Sequence, residues 1–303
     1  MARIQTNLGQ KRKKIGLALG AGGARGLAHI GVILALEEAG IPIDFIAGTS
    51  MGALVGGWYA ATKNIKFLRN IFLKTSTKDL FADGVETFSE KESQKINMDF
   101  SKGLFKGEQM TALLEKLMDV KTFRQCQIPF QAVATNVETG KEVDIGNGSL
   151  AQGILASVSL PVIFQPVKFE EQLLMDGGMV NPLPVDVVKN MGADFVIAVD
   201  VSSRWVNFSD DLITQQNLNR IVSHAFMALN YQLSRRAVGQ ADFVLKPLVA
   251  NFQWIDFERA GDIIDAGRKE AESGLDEIRV KAGYLKKEPE TLMERIIELI
   301  DGN

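Results

Sequence analysis

Short apolar runs alternate along the chain with segments that are apolar at helical spacing, and glycine-rich turns separate many of them. In the first half, this pattern predicts strands at 14–19, 41–47 and 130–135 and helices at 27–39, 53–61, 110–118 and 149–156. In the second half, it predicts strands at 173–175, 195–199 and 243–245 and helices at 218–238, 257–279 and 287–301. Strand 195–199 is expected to be central. The opening order of strand, helix and strand indicates a parallel crossover and an α/β fold.

Residues 64–107 interrupt this regular order, because scattered phenylalanines lie there in a polar background. Two interpretations are open: an insertion that packs over the sheet edge, or a lid that forms a wall for an acyl chain. No internal repeat or low-complexity linker divides the chain. We therefore expect one domain over residues 14–280, followed by a peripheral helical tail at 281–303.

Composition and charge narrow the classes of function. The 303 residues are 46% hydrophobic and 23% charged, and the net charge of −3 offers no basic field for nucleic acid. The basic run at 11–14 indicates either a solvated leader or a weak contact with anionic lipid. The single cysteine, Cys126, permits no disulfide within the chain and favours a cytoplasmic location. No signal-peptide core or membrane span is predicted, so a lipid substrate would be met peripherally, from the aqueous side.

The most informative segment is 48–52, which reads Gly-Thr-Ser-Met-Gly between a predicted strand and a predicted helix. This context is typical of a nucleophile elbow. Gly48 and Gly52 remove the Cβ atoms that would clash in a tight turn. The hydroxyl of Ser50 would stand at the carboxyl edge of the sheet, above a helix N-terminus that favours negative charge. The same five residues alone also fit a plain strand-to-helix turn.

A second glycine-rich turn follows the first strand, at residues 20–26. It lacks the lysine of a Walker loop and the spacing of a dinucleotide fingerprint, which makes nucleotide binding a minor option. Its other use is an oxyanion hole, in which backbone N–H groups stabilise charge on a carbonyl oxygen during acyl transfer. The arginine of the turn would fix the loop or add positive potential. The candidates for this hole are Gly22, Gly23, Ala24, Arg25 and Met51.

A nucleophilic serine also needs a base, and the chain contains only two histidines. His29 lies within a predicted helix and is expected to face packing, while His224 belongs to no motif. Asp176 is the better candidate, because it follows an apolar run directly and precedes Gly177 and Gly178 in a tight turn. An aspartate within hydrogen-bond reach can take the serine proton, and desolvation raises its basicity.

The three motifs at 22–26, 48–52 and 176–178 occur in that order, with further matching blocks around them. Together they closely resemble the patatin-like phospholipase family, in its bacterial branch near the neuropathy-target-esterase-like lysophospholipases. The resemblance covers roughly residues 14–275. One departure is Ala21, at a position where the glycine run of the family often begins.

The resemblance implies a three-layer α/β/α sandwich with a mainly parallel central sheet. It also implies a serine acyl hydrolase of phospholipase A or lysophospholipase type, with Ser50 and Asp176 as a dyad and an acyl-enzyme intermediate. The glycines that complete the three motifs are Gly26, Gly48, Gly52, Gly177 and Gly178. No cofactor or metal is expected, since no side chains have ligand spacing. Two alternatives stay open: a soluble carboxylesterase or thioesterase, and a non-catalytic adaptor that keeps the fold.

Overall fold

A computed structural model describes residues 12–74, 107–161, 163–202 and 218–284. The helices of these ranges are α1 (Ala28–Glu38), α2 (Met51–Thr62), α3 (Ile65–Phe72), α4 (Glu108–Leu117), α5 (Leu150–Val158), α6 (Val185–Asn190), α7 (Leu218–Val238) and α8 (Ala260–Lys281). The strands are β1 (Ile15–Leu19), β2 (Phe45–Thr49), β3 (Phe130–Asn136), β4 (Glu142–Ile145), β5 (Val167–Phe169), β6 (Gln172–Asp176), β7 (Phe195–Val199) and β8 (Phe243–Leu245).

The eight strands in the described ranges form one sheet in the order β5-β6-β3-β2-β1-β7-β8, and β4 also pairs with β3. The five strands from β3 to β8 in this order run parallel. The other three add an antiparallel end to the sheet. The predicted α/β class with a mainly parallel sheet is therefore confirmed, and the antiparallel end is a finding that the apolar pattern did not predict.

Alternation along the buried strands divides the core into two layers. In β1, Ile15, Leu17 and Leu19 face the larger cluster, which includes residues of α1, α2, α5 and α8. Ala18 points to the opposite face, where α6 packs through residues such as Val188. Branched side chains fill the wide layer, while alanines on the other face bring α6 close to the sheet. Helices on both faces make the predicted three-layer arrangement.

The predicted elements correspond well to the observed ones at the strands and helices with strong apolar patterns. β7 differs from expectation, since it lies between β1 and the edge strand β8 rather than at the sheet centre. β4 and β5 were not predicted, because they have four and three residues and largely exposed faces. Helix α6 was also not predicted, and it is short. Helix α3, which is short as well, lies in the segment 64–107, for which no helix bounds were predicted. The predicted helix at 287–301 and residues 75–106 of the irregular segment lie outside the described residues.

The described part of the basic run binds the protein's own fold. Arg12 forms an ion pair with Asp44 at 2.5 Å and donates to the hydroxyl of Tyr284. The ammonium group of Lys14 lies 5.5 Å from the centroid of the Phe45 ring. These contacts hold the described part of the run against the domain, and both interpretations of the run stay predictions. Helix α8 continues to Lys281, one residue past the predicted domain boundary at 280. The boundary itself stays a prediction.

Candidate active site

The serine of the 48–52 motif occupies a strained turn. Ser50 connects β2 to α2 with φ 57° and ψ −124°, in the left-handed half of the backbone map that side chains disfavour. Gly48 and Gly52 make this turn possible, because a Cβ atom at Gly48 would overlap the backbone of α2 and one at Gly52 would overlap the carbonyl of Leu19. The elbow geometry expected from the sequence is thus present, with its strain at the serine itself.

Two side chains fix the elbow, one from α5 and one from the motif itself. Ser157, at the end of α5, accepts a hydrogen bond from the N–H of Ser50 at 3.0 Å and donates to the carbonyl of Val133 at 2.6 Å. Thr49, just before the serine, donates its hydroxyl to the carbonyl of Asn181 at 2.8 Å. The serine backbone is therefore tied to α5 and to the turn that follows Asp176.

Asp176 lies at the carboxyl end of β6, completely buried, and its side chain meets the serine. Ser50 Oγ donates to Asp176 Oδ2 at 2.7 Å, and the N–H of Gly178 donates to Oδ1 at 2.7 Å. Thr135 on β3 donates its hydroxyl to the backbone carbonyl of Asp176 at 2.8 Å. The structure therefore brings together the two residues that the sequence pairs as nucleophile and base.

The environment of Asp176 makes its carboxylate more basic than usual. Burial raises the pKa from 3.8 to about 6, because a desolvated carboxylate is costly. The hydrogen bonds from Ser50 and Gly178 favour the charged form and oppose this rise. At neutral pH the group is thus ionised, accepts the serine proton in a hydrogen bond, and is better placed to take that proton than an exposed aspartate.

The glycine-rich loop divides into donors that face the site and donors that are engaged elsewhere. The N–H of Ala24 donates to the carbonyl of Trp254 at 2.7 Å, so Ala24 is wrongly included among the oxyanion donors. No residue in the described ranges accepts a hydrogen bond from the N–H of Gly22, Gly23 or Met51. The residues that carry these three N–H groups line the same cavity as Ser50.

Arg25 anchors the loop. Its side chain is only 4% exposed, and Nε donates to the carbonyl of Phe252 at 2.7 Å. Burial lowers the pKa of the guanidinium, while the nearby carboxylate of Asp256 favours its charge. Of the two roles considered for this arginine, the hydrogen bond supports the fixing of the loop.

His29 faces the core, as expected from its helix pattern. It is completely buried, and its Nε2 lies 2.7 Å from the carbonyl oxygen of Gly20. Burial lowers the pKa of the imidazole to about 4, so the ring is neutral at physiological pH and donates from Nε2 to this carbonyl. His29 therefore supports the strand end before the glycine-rich loop. The side chain of His224 lies outside the described part of the structure.

A pocket with about 1130 Å³ of empty space, part of which is open solvent, lies against Ser50. Most of its walls are apolar, with few polar side chains, as in sites that bind apolar ligands. Phe72 and Met110, which flank the undescribed residues 75–106, belong to these walls. The other apolar side chains of the lining are Ala21, Met51, Leu54, Val158, Leu160, Ile163, Phe164, Val201, Phe226, Met227, Trp254 and Phe257.

Two general properties of the described ranges bear on the chemistry. They contain no group of three or more His, Cys, Asp or Glu side chains arranged to hold a metal ion. Within the same ranges, every helix is too short or too polar to cross a membrane.

These features define a class of protein: an α/β fold with a serine in a strained strand-to-helix turn, hydrogen-bonded to a buried aspartate beside an apolar cavity. The sequence profile of the family described as Patatin-like phospholipase matches residues 17–189, more than half of the chain. The chain therefore belongs to the patatin-like phospholipase family, as the resemblance predicted.

Two curated relatives support this membership. The uncharacterized NTE family protein Rv1063c of Mycobacterium tuberculosis is 34% identical over 220 residues, which are 71% of this chain and 57% of that protein. Lysophospholipase NTE1 of Scheffersomyces stipitis is 29% identical over 291 residues, which are 88% of this chain but 18% of that protein. The solved structure of VipD from Legionella pneumophila is 14% identical, with a TM-score of 0.46, over 97% of this chain and 78% of VipD. This chain spans only part of the length of the two curated relatives.

Several residues of the site have no motif of their own. Ser157 belongs to a block that supports the resemblance, but its contact with the serine backbone was not predicted. Asn181 and Asn230, near the aspartate turn, are isolated amides in sequence. Phe252 and Trp254 act through backbone carbonyls, which any residue possesses. Their roles follow from the path of the chain, for which the sequence offers no side-chain signal.

Proposed function

We propose that this protein is a serine acyl hydrolase of the phospholipase A or lysophospholipase type, which cleaves fatty acyl esters of lipids. The observation that carries the proposal is the 2.7 Å hydrogen bond from Ser50 Oγ to the buried Asp176, at the wall of a mostly apolar cavity. Family membership and the lysophospholipase relative support the same class of substrate.

In the first step, Ser50 Oγ attacks the carbonyl carbon of the ester while its proton passes to Asp176 Oδ2. The raised pKa of about 6 makes this carboxylate a more effective acceptor than an ordinary aspartate, while leaving it mostly ionised at neutral pH. The hydrogen bond already aligns donor and acceptor, so little reorganisation precedes the transfer.

The carbonyl oxygen becomes negatively charged in the tetrahedral intermediate. The N–H groups of Gly22, Gly23 and Met51 are the donors available to this oxygen, and Met51 begins α2, where the helix dipole adds positive potential. One such donor contributes about 3 kcal/mol in other enzymes. Arg25 has an indirect part in this proposal, since it keeps the loop in place.

Collapse of this intermediate breaks the ester C–O bond, and the departing alcohol takes the proton from Asp176. The acyl group is then bonded to Ser50 Oγ. A water molecule next attacks the acyl carbon and gives its proton to Asp176, and the second collapse releases the fatty acid and returns the proton to Ser50 Oγ. The same carboxylate thus acts as base and acid in both halves, with no metal or histidine in the cycle.

The apolar lining makes a long acyl chain the best-fitting part of the substrate. Burial of each methylene stabilises the complex by about 0.8 kcal/mol, so ten methylenes outweigh most single polar contacts. The polar side chains of the cavity wall are Arg25, Ser50, Ser202 and Asn230. Binding is therefore expected to follow chain length more strongly than head group.

The proposal is tested by measuring fatty acid release from a panel of phospholipids, lysophospholipids and simple acyl esters by mass spectrometry. Ser50→Ala and Asp176→Asn should each lose more than about 10³-fold in kcat. Ser273→Ala and Asp276→Asn, at exposed positions of α8, are matched controls that should retain activity. Full activity in either site variant would contradict the dyad.

The same panel separates the alternatives. Hydrolysis of short esters or thioesters alone, without binding to liposomes in a sedimentation assay, would favour a soluble esterase or thioesterase. No turnover and no labelling of Ser50 by a fluorophosphonate probe in folded protein would favour the non-catalytic adaptor.

A further inference from the structure

Asn230 is a buried amide in the middle of α7, far in sequence from the three motifs. It is only 7% exposed and borders the cavity. Its Nδ2 group donates to the carbonyl of Gly178 at 3.0 Å and to the carbonyl of Phe226, one turn earlier in the helix, at 2.9 Å. The side-chain amide therefore joins α7 to the turn that follows β6.

The partner of this amide is the residue that binds the proposed base. The carbonyl of Gly178 accepts from Asn230, while the N–H of the same glycine donates to Asp176 Oδ1 at 2.7 Å. A chain of two hydrogen bonds thus runs from α7 to the carboxylate. Since the bond from Asn230 to Gly178 anchors the turn to the helix, loss of Asn230 would free the glycine to rotate away from Asp176.

We propose that Asn230 is a positioning residue for Asp176, acting through Gly178. It keeps the glycine N–H directed at Oδ1 and leaves Oδ2 aligned with Ser50 Oγ. This role rests on the proposed function of Asp176 as the base, and it adds a residue that lies beyond the 17–189 match of the family profile.

The bond from Gly178 has a chemical effect that a purely structural contact would not have. It favours the charged carboxylate and so lowers the pKa of Asp176 against the larger effect of burial. Among the described residues, the hydroxyl of Ser50 is the other hydrogen-bond donor to this carboxylate, and it is uncharged. The hydroxyl of Thr135 and the carbonyl of Ser159 bond to the backbone of Asp176 and are uncharged as well. Weakening of the glycine bond should therefore raise the pKa of this carboxyl further.

The test compares wild type with Asn230→Leu, which keeps the approximate size of the side chain but removes both donors. Carboxyl-carbon NMR of protein labelled at aspartate follows the Asp176 titration, assigned by the missing signal in Asp176→Asn. In wild type and variant, the pH profile of kcat/KM should have its acid limb at the same pKa as the NMR signal. We expect an upward shift of about 0.5 pH unit and a fall of about tenfold in kcat, with KM nearly unchanged.

An upward shift smaller than about 0.3 pH unit, or a downward shift, would overturn the proposal. Asn230→Ala, which suits a helix and adds no bulk, replaces the leucine variant if that protein does not fold. Ser234→Ala, which changes another buried polar side chain one turn along α7, is the control and should leave the titration of Asp176 unchanged. Because NMR needs no turnover, a shifted titration in a protein without hydrolase activity would refute the proposed function but keep the positioning role.

Discussion

The site consists of two regions that are held in different ways. The serine and aspartate region is fixed by local sterics at the elbow and by bonds from Ser157 and Gly178, all within the first two thirds of the chain. The glycine-rich loop at 22–26 is fixed from outside, by backbone carbonyls of residues 252 and 254. Substitutions in the first region should therefore destabilise the fold. Substitutions in the second region should reduce catalysis while the fold stays intact.

The largest effect is expected at the elbow. In Gly52→Ala, the new Cβ would overlap the carbonyl of Leu19, which is backbone of a central strand and cannot move aside. We expect a loss of about 3 kcal/mol or more in the free energy of unfolding, measured by urea titration. Gly261→Ala is the control, because a Cβ there meets only a flexible side chain at an ordinary 3.6 Å. Equal stability of the two variants would contradict the steric account.

Arg25→Met should disturb the glycine-rich loop and reduce catalysis without unfolding the protein. It removes the bond from Nε to the carbonyl of Phe252 while keeping an apolar stem of similar length. We expect kcat to fall by about 100-fold, as for the loss of one oxyanion donor, with a smaller relative change in KM. Arg25→Lys should recover part of this activity by donating to the same carbonyl. Arg124→Met, at an exposed arginine, is the control. An unchanged kcat in Arg25→Met would remove the distinction between the two regions.

The buried aspartate should reduce stability at neutral pH. Its folded pKa of about 6 exceeds the ordinary value of 3.8, so the folded state binds the proton more tightly than the unfolded chain. The corresponding stability is fully present below about pH 4 and is lost as the pH rises through about 6. Asp176→Asn, which is uncharged throughout, should have a free energy of unfolding higher than that of wild type at pH 7, by on the order of 2 kcal/mol, seen as a higher melting temperature in thermal unfolding. The difference should nearly vanish at pH 4, and a pH-independent difference would exclude desolvation as the cause.

The smallest effect is expected at Ser157. Ser157→Ala removes the acceptor for the N–H of Ser50 but leaves the sterics of the elbow unchanged. We expect a fall of about tenfold in kcat and a loss of about 1 kcal/mol in stability. Ser159→Ala is the matched control, since that buried hydroxyl donates to Leu155 within its own helix. If kcat falls by the same factor in Ser157→Ala and in the control, the glycines alone determine the serine geometry.

The two regions also differ in how far the sequence could predict them. Gly48, Ser50 and Gly52 lie within five consecutive residues, and their spacing predicts a tight turn because each glycine avoids a local steric clash. Asp176 was predicted from its position after an apolar run and before two glycines, again a local pattern. Its contact with Ser50 joins strands that are far apart in sequence, and the proposal of that pair depended on elimination of histidines and on the resemblance.

The supports of the loop could not be predicted in this way. Phe252 and Trp254 contribute backbone carbonyl groups, so their side chains give no sign of this role. Ala24 was predicted to be an oxyanion donor because the sequence does not show that its N–H group already has a partner. The antiparallel strands β4 and β5 were missed for a related reason, since they are short and gain their order from neighbours. Apolar periodicity predicts what a segment buries, but it says little about which backbone groups of distant segments will meet.

The use of carbonyl oxygens at 252 and 254 has an evolutionary consequence. Substitution at either position leaves the acceptor in place, so the anchoring of the loop does not by itself restrict the side chains at 252 and 254. Insertion or deletion between β8 and α8 would instead move both acceptors together and release Arg25 and Ala24 at once. Selection at this end of the site should therefore act on segment length more than on residue identity.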